Sequence, residues 1–238
     1  MEGRPTLSGV KKALKLLLRS LYVLVVSFCA AYLLLHVFER TSWFKNYAYR
    51  TLLTGDSQQQ LRAASTLARV GAEEQLLLAL KAESESAHDL ARRALDHLWF
   101  TAAGDEAFEL LESGHKAAEK EDYKQALTIL DRLVAKYPKY AEGWNRRASV
   151  YWQMGRLQES IANCERALAL NRNHYGAWQG LGVCQLKQGK VAEACHSLRA
   201  ALKIAPHDPS TRQSLQKCEE LIRMYPQPDK RGKTGDLI

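Results

Sequence analysis

A period of 34 residues in the C-terminal half constrains this chain more than any other feature. Trp144 and Trp178 lie 34 residues apart, and the same spacing relates further pairs: Ala148 and Gly182, Gly155 and Gly189, and Ala167 and Ala201. One period earlier the pattern continues with Leu110, Gly114 and Ala126. A fixed period of this length is typical of stacked helical repeats, because each unit buries its apolar face against the next. We therefore predict three units, at residues 107–140, 141–174 and 175–208.

The third unit carries the pattern most fully, with matching residues at Trp178, Leu181, Gly182, Gly189, Ala194, Ala201 and Pro206. In these residues the units resemble tetratricopeptide repeats, which are helix-turn-helix units with a W-x2-L-G-x2-Y, A-x3-F and late-proline signature. The second unit departs from the pattern at Arg147 and Ser160, and the first has its proline displaced to Pro138. The resemblance implies an all-α fold, in which the units stack as a right-handed α-solenoid.

The segments on either side of the repeats also have helical patterns. Residues 209–225 have polar residues along one face, and we predict a capping helix there, followed by a flexible tail at residues 226–238. Residues 56–106 predict one or two helical hairpins. The recurrence of Arg62-x-Ala64 as Arg92-x-Ala94 resembles HEAT-like repeats, whereas the simpler alternative is a hairpin that extends the solenoid towards the membrane.

An uncharged apolar segment lies near the N-terminus. Residues 20–38 contain no formal charge, and as a helix they would be about 28 Å long, close to the thickness of a bilayer core. We predict a transmembrane anchor at 20–38, with a basic flank at 1–19 and a juxtamembrane segment at 39–55. A cleaved signal peptide is an alternative because Ser27–Ala31 includes small residues, but the apolar stretch LLLHVF continues beyond them. A buried core helix is a further alternative.

The orientation of this anchor depends on the charges around it. Five cations precede the span and three follow it closely, so the positive-inside rule predicts a cytoplasmic N-terminus and extracytoplasmic repeats. The unpaired thiols within the repeats and the capping segment favour a reducing compartment instead, and they are Cys164, Cys184, Cys195 and Cys218. Both orientations therefore remain open at this level.

Charge and motif content exclude several classes of function. Residues 1–38 hold five cations and one acid, so half of the net charge of +8 belongs to the N-terminal segment and not to a basic nucleic-acid-binding face. The chain has no CxxC pair, no P-loop, no HExxH and no nucleophile elbow. We therefore expect no enzymatic activity, no metal ion or other cofactor, no nucleic-acid partner and no small-molecule substrate.

Protein binding is the role that the resemblance implies. In tetratricopeptide repeats the first helix of each unit lines a concave groove, at positions two, five, nine, twelve and thirteen. The corresponding residues are Leu111, His115 and Glu119, then Glu142, Asn145, Ser149, Trp152 and Gln153, then Gln179, Val183 and Lys187. Asn145 and Gln179 are the candidates for binding a peptide backbone, because an amide both donates and accepts hydrogen bonds. Trp152 is the candidate aromatic anchor.

Some members of this family bind the EEVD tails of chaperones through a clamp of Lys, Asn, Asn, Lys and Arg. The corresponding positions here carry Leu111, His115, Arg146, Gly176 and Gly180. Because one of these five is a permanent cation, we expect no recognition of Hsp70 or Hsp90 tails.

Two functions fit this layout. The first is a membrane-tethered scaffold whose repeats bind a protein or peptide partner during assembly, secretion or quality control of envelope proteins. The second is an import or targeting receptor on an organelle membrane, with cytosolic repeats that bind amphipathic presequences. The side of the membrane on which the repeats lie distinguishes the two.

Overall fold

The computed structural model describes residues 7–224, with side chains from residue 15 onwards. Over these residues the helices are α-helices joined by short loops, and there is no strand. The twelve helices within residues 7–224 are α1 (Leu7–Glu39), α2 (Ser42–Thr54), α3 (Ser57–Arg69), α4 (Glu73–Ala79), α5 (Glu85–Thr101), α6 (Asp105–Glu119), α7 (Tyr123–Lys136), α8 (Ala141–Gln153), α9 (Leu157–Leu170), α10 (Tyr175–Lys187), α11 (Val191–Ile204) and α12 (Pro209–Met224). The predicted tail at 226–238 lies outside the described residues.

The chain divides into two compact units between Ala48 and Tyr49. In the first unit, α1 contains the whole predicted span of residues 20–38. The stretch Lys15–Glu39 is long and apolar enough to cross a membrane, with a mean hydropathy of 2.3, and none of its most apolar window is buried. A helix of this kind near the N-terminus is equally compatible with a signal sequence.

The second unit contains α3–α12, and its last seven helices form three packed pairs and one further helix. The pairs are α6 with α7, α8 with α9, and α10 with α11; the second and third lie within the predicted ranges, whereas α6 begins at Asp105, two residues before the first range. The next helix, α12, packs against α11 through Leu215 and the buried Cys218. The element content agrees with the all-α prediction, with helices in tetratricopeptide-like pairs.

Small residues set the close approach of the two helices within a pair. A Cβ atom added to Gly182 would lie 2.7 Å from Cγ of Leu198, and one added to Gly114 would lie 2.9 Å from Leu130. Both distances are shorter than Cβ atoms tolerate, so an alanine at either position would have to displace the facing leucine. The equivalent Ala148 in the second pair is buried, and its carbonyl oxygen accepts a hydrogen bond from Ser160 at 2.8 Å.

The turn inside each pair needs a left-handed backbone conformation. Gly155 and Gly189 occupy it with φ of 74° and 75°. One period before Gly155, the first pair places Glu121 there, with φ of 60°. A non-glycine residue in this region is strained, so the turn geometry is retained in the first pair at an energetic cost that the packing of α6 on α7 offsets.

The two periodic tryptophans have the same local role. The indole N–H of Trp144 donates to the carbonyl of Pro138 at 3.1 Å, and that of Trp178 donates to the carbonyl of Arg172 at 3.0 Å. Both rings pack beside a core cluster that includes Ala148, Cys164 and Leu181. Each tryptophan therefore fixes the loop before its own helix to the core, which explains why the residue recurs every 34 positions.

The segment predicted as one or two hairpins, 56–106, contains the three helices α3, α4 and α5 and the start of α6. The helix α5 runs along the loops that precede α8, α10 and α12. Its contacts with them are the hydrogen bond from Tyr140 to the carbonyl of Phe100 (2.6 Å), the hydrogen bond from Tyr175 to Asp96 (2.6 Å), the stacking of Trp99 on His174 (4.8 Å) and the stacking of His88 on His207 (4.3 Å). We call α3–α5 the edge helices, because they lie along this loop edge of the repeats.

Candidate functional site

A cavity of about 310 Å³ lies between the first helices of the second and third pairs, α8 and α10. Six of the eleven predicted groove residues line it together: Asn145, Ser149, Trp152, Gln153, Gln179 and Val183. Its remaining lining includes Ala148, Ser160, Cys164, Gly176 and Gly180. We call this cavity the repeat groove.

Trp152 is the large apolar residue at the mouth of the repeat groove. It is 39% exposed, although a tryptophan on a globular surface is normally more buried. The ammonium group of Lys187 lies 4.8 Å from the centre of its ring, a cation–π contact that joins α10 to α8. Lys187 therefore lies at the rim of the groove, although it does not line the cavity.

The two amides predicted to bind a peptide backbone already have intramolecular partners. Asn145 donates to the carboxylate of Glu142 at 3.3 Å. Gln179 donates to the hydroxyl of Ser210 and, at 3.5 Å, to Asp208, both at the start of α12. A primary amide has two N–H donors and an acceptor oxygen, so both side chains are oriented by these bonds and keep capacity for a further partner.

The predicted residues of the first pair do not contribute to the repeat groove. His115 and Glu119 are exposed on α6 and lie 3.3 Å from each other. The prediction that Leu111 faces the groove is wrong, because the side chain is 1% exposed and belongs to the core between α6 and α7. The spacing placed Leu111 on the correct helix but could not distinguish its core face from its groove face.

Glu142 was also predicted to face the groove, and it is instead buried at 2% exposure. Its carboxylate accepts hydrogen bonds from Nε2 of His174 at 2.7 Å and from Nε of Arg146 at 2.5 Å. Nδ1 of His174 accepts the backbone N–H of Ala177 at 3.2 Å, which places the ring proton on Nε2. Burial opposes ionisation of Glu142, but the hydrogen bond from His174 and the charge and hydrogen bond of Arg146 outweigh it and lower the pKa of the carboxyl group.

This buried network of Glu142, Arg146 and His174 was missed by sequence reasoning. It joins the start of α8 to the loop before α10, and it lies beside Trp99 of the edge helices, which stacks on His174. The only sequence signal was an acid in the first turn of α8 followed four residues later by an arginine, a pattern that is common on exposed helix faces. The network therefore has a structural role, because the hydrogen-bonding groups of its members are bonded to one another.

Metal binding and thiol reactivity depend on how side chains cluster and on how exposed they are. No group of three or more His, Cys, Asp or Glu side chains between residues 15 and 224 could hold a metal ion. The four cysteines of the second unit are buried and free. Burial raises the pKa of the Cys164 thiol to about 12, so that little reactive thiolate is present at neutral pH.

The positions that correspond to the chaperone-tail clamp cannot present its charges. Leu111 is in the core, and Gly176 and Gly180 have no side chain. Arg146, the one permanent cation among them, is bound to Glu142 and lies 4.7 Å from the ring centre of Phe100.

Comparisons with known proteins agree with the repeats. A family model described as tetratricopeptide repeat matches residues 111–174 and 145–209. A TPR repeat-containing protein of Rhizobium etli is 29% identical over 113 residues, which is 48% of this chain and 55% of that protein. An Hsp70-Hsp90 organizing protein of Triticum aestivum is 22% identical over 111 residues, which is 47% of this chain and 19% of the wheat protein. The chain therefore spans about half of the first relative and about a fifth of the second.

Solved structures also resemble part of the chain. The first TPR of Spaghetti (RPAP3), bound to the HSP90 peptide SRMEEVD, has a TM-score of 0.48 and 23% identity, and covers 49% of this chain and 93% of that one. The Sgt2 TPR domain from Aspergillus fumigatus has a TM-score of 0.49 and 16% identity, and covers 55% of this chain and 91% of that one.

The matched residues 111–209 begin in α6 and end at the start of α12, so they contain almost all of the three helix pairs and the whole lining of the repeat groove. Repeats of this family form protein–protein interaction domains. Residues 111–209 therefore resemble tetratricopeptide repeats, in the segment that contains almost all of the three helix pairs.

Proposed function

We propose that this protein is a membrane-tethered scaffold whose repeat groove binds a segment of a partner protein. In this proposal the three pairs stack as a right-handed α-solenoid, α12 caps it, and the span within α1 holds the protein in the membrane. The observation that carries the proposal is the convergence of Asn145, Ser149, Trp152, Gln153, Gln179 and Val183 on one cavity.

The chemistry of the repeat groove indicates what it binds. Its lining contains amides, hydroxyls, small residues and one indole, but no Asp, Glu, Lys or Arg. Asn145 and Gln179 would bind the backbone of an extended peptide, and Trp152 would contact an apolar side chain of that peptide. We expect an uncharged segment with a large apolar residue to fit better than a charged one.

This chemistry favours a scaffold over a receptor for basic presequences. A basic amphipathic helix is recognised by carboxylates beside an apolar strip, and the lining of the repeat groove contains no carboxylate. A partner in the assembly, secretion or quality control of envelope proteins fits the predicted extracytoplasmic position of the repeats.

Site-specific crosslinking tests the location of binding. A photoreactive amino acid at Gln153, which lines the groove, is expected to crosslink a partner in intact cells. The same group at Glu165, which is exposed on α9 and does not line the groove, is the control. Equal crosslinking from both positions would count against the repeat groove as the binding site.

The contribution of Trp152 to binding is tested by measuring the Kd of a synthetic peptide that has the sequence of the crosslinked partner segment. Trp152→Ala should weaken binding at least tenfold, because a buried aromatic anchor contributes about 2 kcal/mol or more at an interface. Met154→Ala is the matched control: Met154 is also 39% exposed, but it lies outside the groove lining and should change the Kd less than threefold. A peptide ending in Glu-Glu-Val-Asp should not bind. Saturable binding of that peptide would show that the chain recognises chaperone tails without the charged residues of the clamp.

A further inference from the structure

A second groove, of about 610 Å³, lies between α3 and α5 and outside the repeats. Its floor consists of small side chains, and the residues that form it are Ala64, Ala68 and Ala94. Leucines form its walls, at Leu61, Leu90 and Leu98. We call this cavity the edge groove.

The edge groove follows from two apolar stripes on α5. The first stripe, with residues four apart, is buried and consists of Ala87, Ala91, Leu95 and Trp99. The second stripe, Leu90, Ala94 and Leu98, has the same spacing and lines the groove. Residues four apart lie on one helix face, so α5 presents apolar surface in two directions. The second direction leaves its leucines half-exposed, and Leu61 opposite is 54% exposed.

The charges around the edge groove have a single sign. Its lining includes Arg69, Arg93 and His97 and contains no Asp or Glu. None of the three acids of α5 lines the groove: Glu85 lies in its first turn, Asp96 accepts a hydrogen bond from Tyr175, and Asp89 pairs with Arg92 at 3.6 Å. Arg93 is exposed and makes no ion pair with any residue between 15 and 224. The groove therefore combines an apolar floor with a cationic rim.

We propose that the edge groove binds an amphipathic helix of a partner protein, with an apolar stripe facing the alanines and acidic residues on its flanks. Small residues on the floor allow a third helix to approach α3 and α5 closely, and Arg93 would pair with its carboxylates. From Leu90 to Leu98 the wall is about 12 Å long, which matches two turns of a partner helix. The groove lies outside residues 111–209, so this proposal is independent of the function of the repeats.

The cationic rim disfavours a second copy of this chain as the occupant. A symmetric pair would bring the same patch of both copies together, and with it the exposed Arg93 of each. Like charges brought together in an interface reduce affinity, whereas acidic flanks gain from the same arginines.

The test uses the full chain in nanodiscs of zwitterionic lipid and two synthetic helical peptides. Both peptides carry leucines at i, i+3, i+4 and i+7, and they differ only in flanks of glutamate or of lysine. Fluorescence anisotropy should show the glutamate peptide binding at least tenfold more tightly than the lysine peptide, with an affinity that falls as salt is raised. Equal affinity of the two peptides, or no binding of the glutamate peptide, would overturn the proposal.

Two variants at exposed positions locate the binding. Arg93→Glu and Leu61→Glu should each lower the affinity for the glutamate peptide at least tenfold. Their matched controls, which do not line the groove, are Arg62→Glu on α3 and Leu78→Glu, whose parent leucine is 47% exposed; both should leave the affinity unchanged. Trp152→Ala should also leave it unchanged, which separates this groove from the repeat groove. If Arg93→Glu bound the glutamate peptide as tightly as the wild type does, the proposal would be contradicted. Self-association of the chain that Leu61→Glu abolishes would also contradict it, because the occupant would then be a second copy.

Discussion

Removal of the buried Glu142 side chain should destabilise this protein strongly. It is buried, and its two oxygens accept hydrogen bonds from His174 and Arg146. Glu142→Ala would leave both partners without their carboxylate, and breaking a buried pair in this way costs about 3–5 kcal/mol. Chemical denaturation monitored by circular dichroism measures the loss. Glu159→Ala, which removes an exposed ion pair with Arg156, is the control and should leave the midpoint almost unchanged.

The lowered pKa of Glu142 predicts that the stability of the folded chain depends on pH. The pKa of Glu142 is lower in the folded chain than the ordinary value of 4.5, so on acidification the unfolded chain takes up this proton at a higher pH than the folded chain does. Its contribution to stability is therefore complete above about pH 4.5 and is lost as the pH falls through the folded pKa. The free energy of unfolding of Glu142→Gln should fall less between pH 5 and pH 3 than that of the wild type. Parallel curves would mean that Glu142 does not titrate differently on folding.

At the scale of elements, the attachment of α5 to the repeats depends on Trp99. Its ring stacks on His174, and its indole N–H donates to Glu73 of α4 at 2.9 Å. Trp99→Ala should cost about 3–5 kcal/mol, because it removes a large buried side chain from this contact. We expect hydrogen exchange to rise in residues 57–101 while α10 and α11 remain protected, since the repeats keep their own packing.

Mass spectrometry of the exchanged protein makes this measurement, and Trp152→Ala, which removes an exposed tryptophan, is the control. A simultaneous loss of protection in α3–α5 and in α10–α11 would show instead that the edge helices and the repeats unfold as one cooperative unit.

For the whole molecule, the decisive question is whether the N-terminal span is retained. Its length, its complete exposure and the aromatic residues after it favour an anchor; Trp43 and Tyr47 stack at 5.8 Å and are 65% and 58% exposed. We expect the protein to stay in the membrane fraction after alkaline carbonate extraction, with an intact mass that includes residues 20–38. A soluble protein that has lost these residues would identify a cleaved signal sequence. Protease protection in intact and permeabilised cells would then locate the repeats, which we expect to be digested from the extracytoplasmic side.

The sequence alone determined the features that arise from local spacing. The 34-residue period predicted where helix pairs lie, because packing each unit on the next requires the same small residues at the same positions, as at Gly114 and Gly182. The uncharged run of residues 20–38 predicted a membrane-length helix for the same local reason. The same 34-residue period predicted Asn145, Ser149, Trp152 and Gln153 of α8 as groove residues, and these four side chains line one cavity.

Only the tertiary structure decided which parts distant in sequence meet. No periodicity in residues 57–101 indicates that α5 lies along the loops before α8, α10 and α12, since the contact of Asp96 with Tyr175 joins residues 79 positions apart. Nor could spacing distinguish Asn145, which lines the repeat groove, from Glu142, which is buried one helical turn earlier. A helix pattern specifies the face on which a residue lies, whereas burial and pairing depend on what the rest of the chain places against that face.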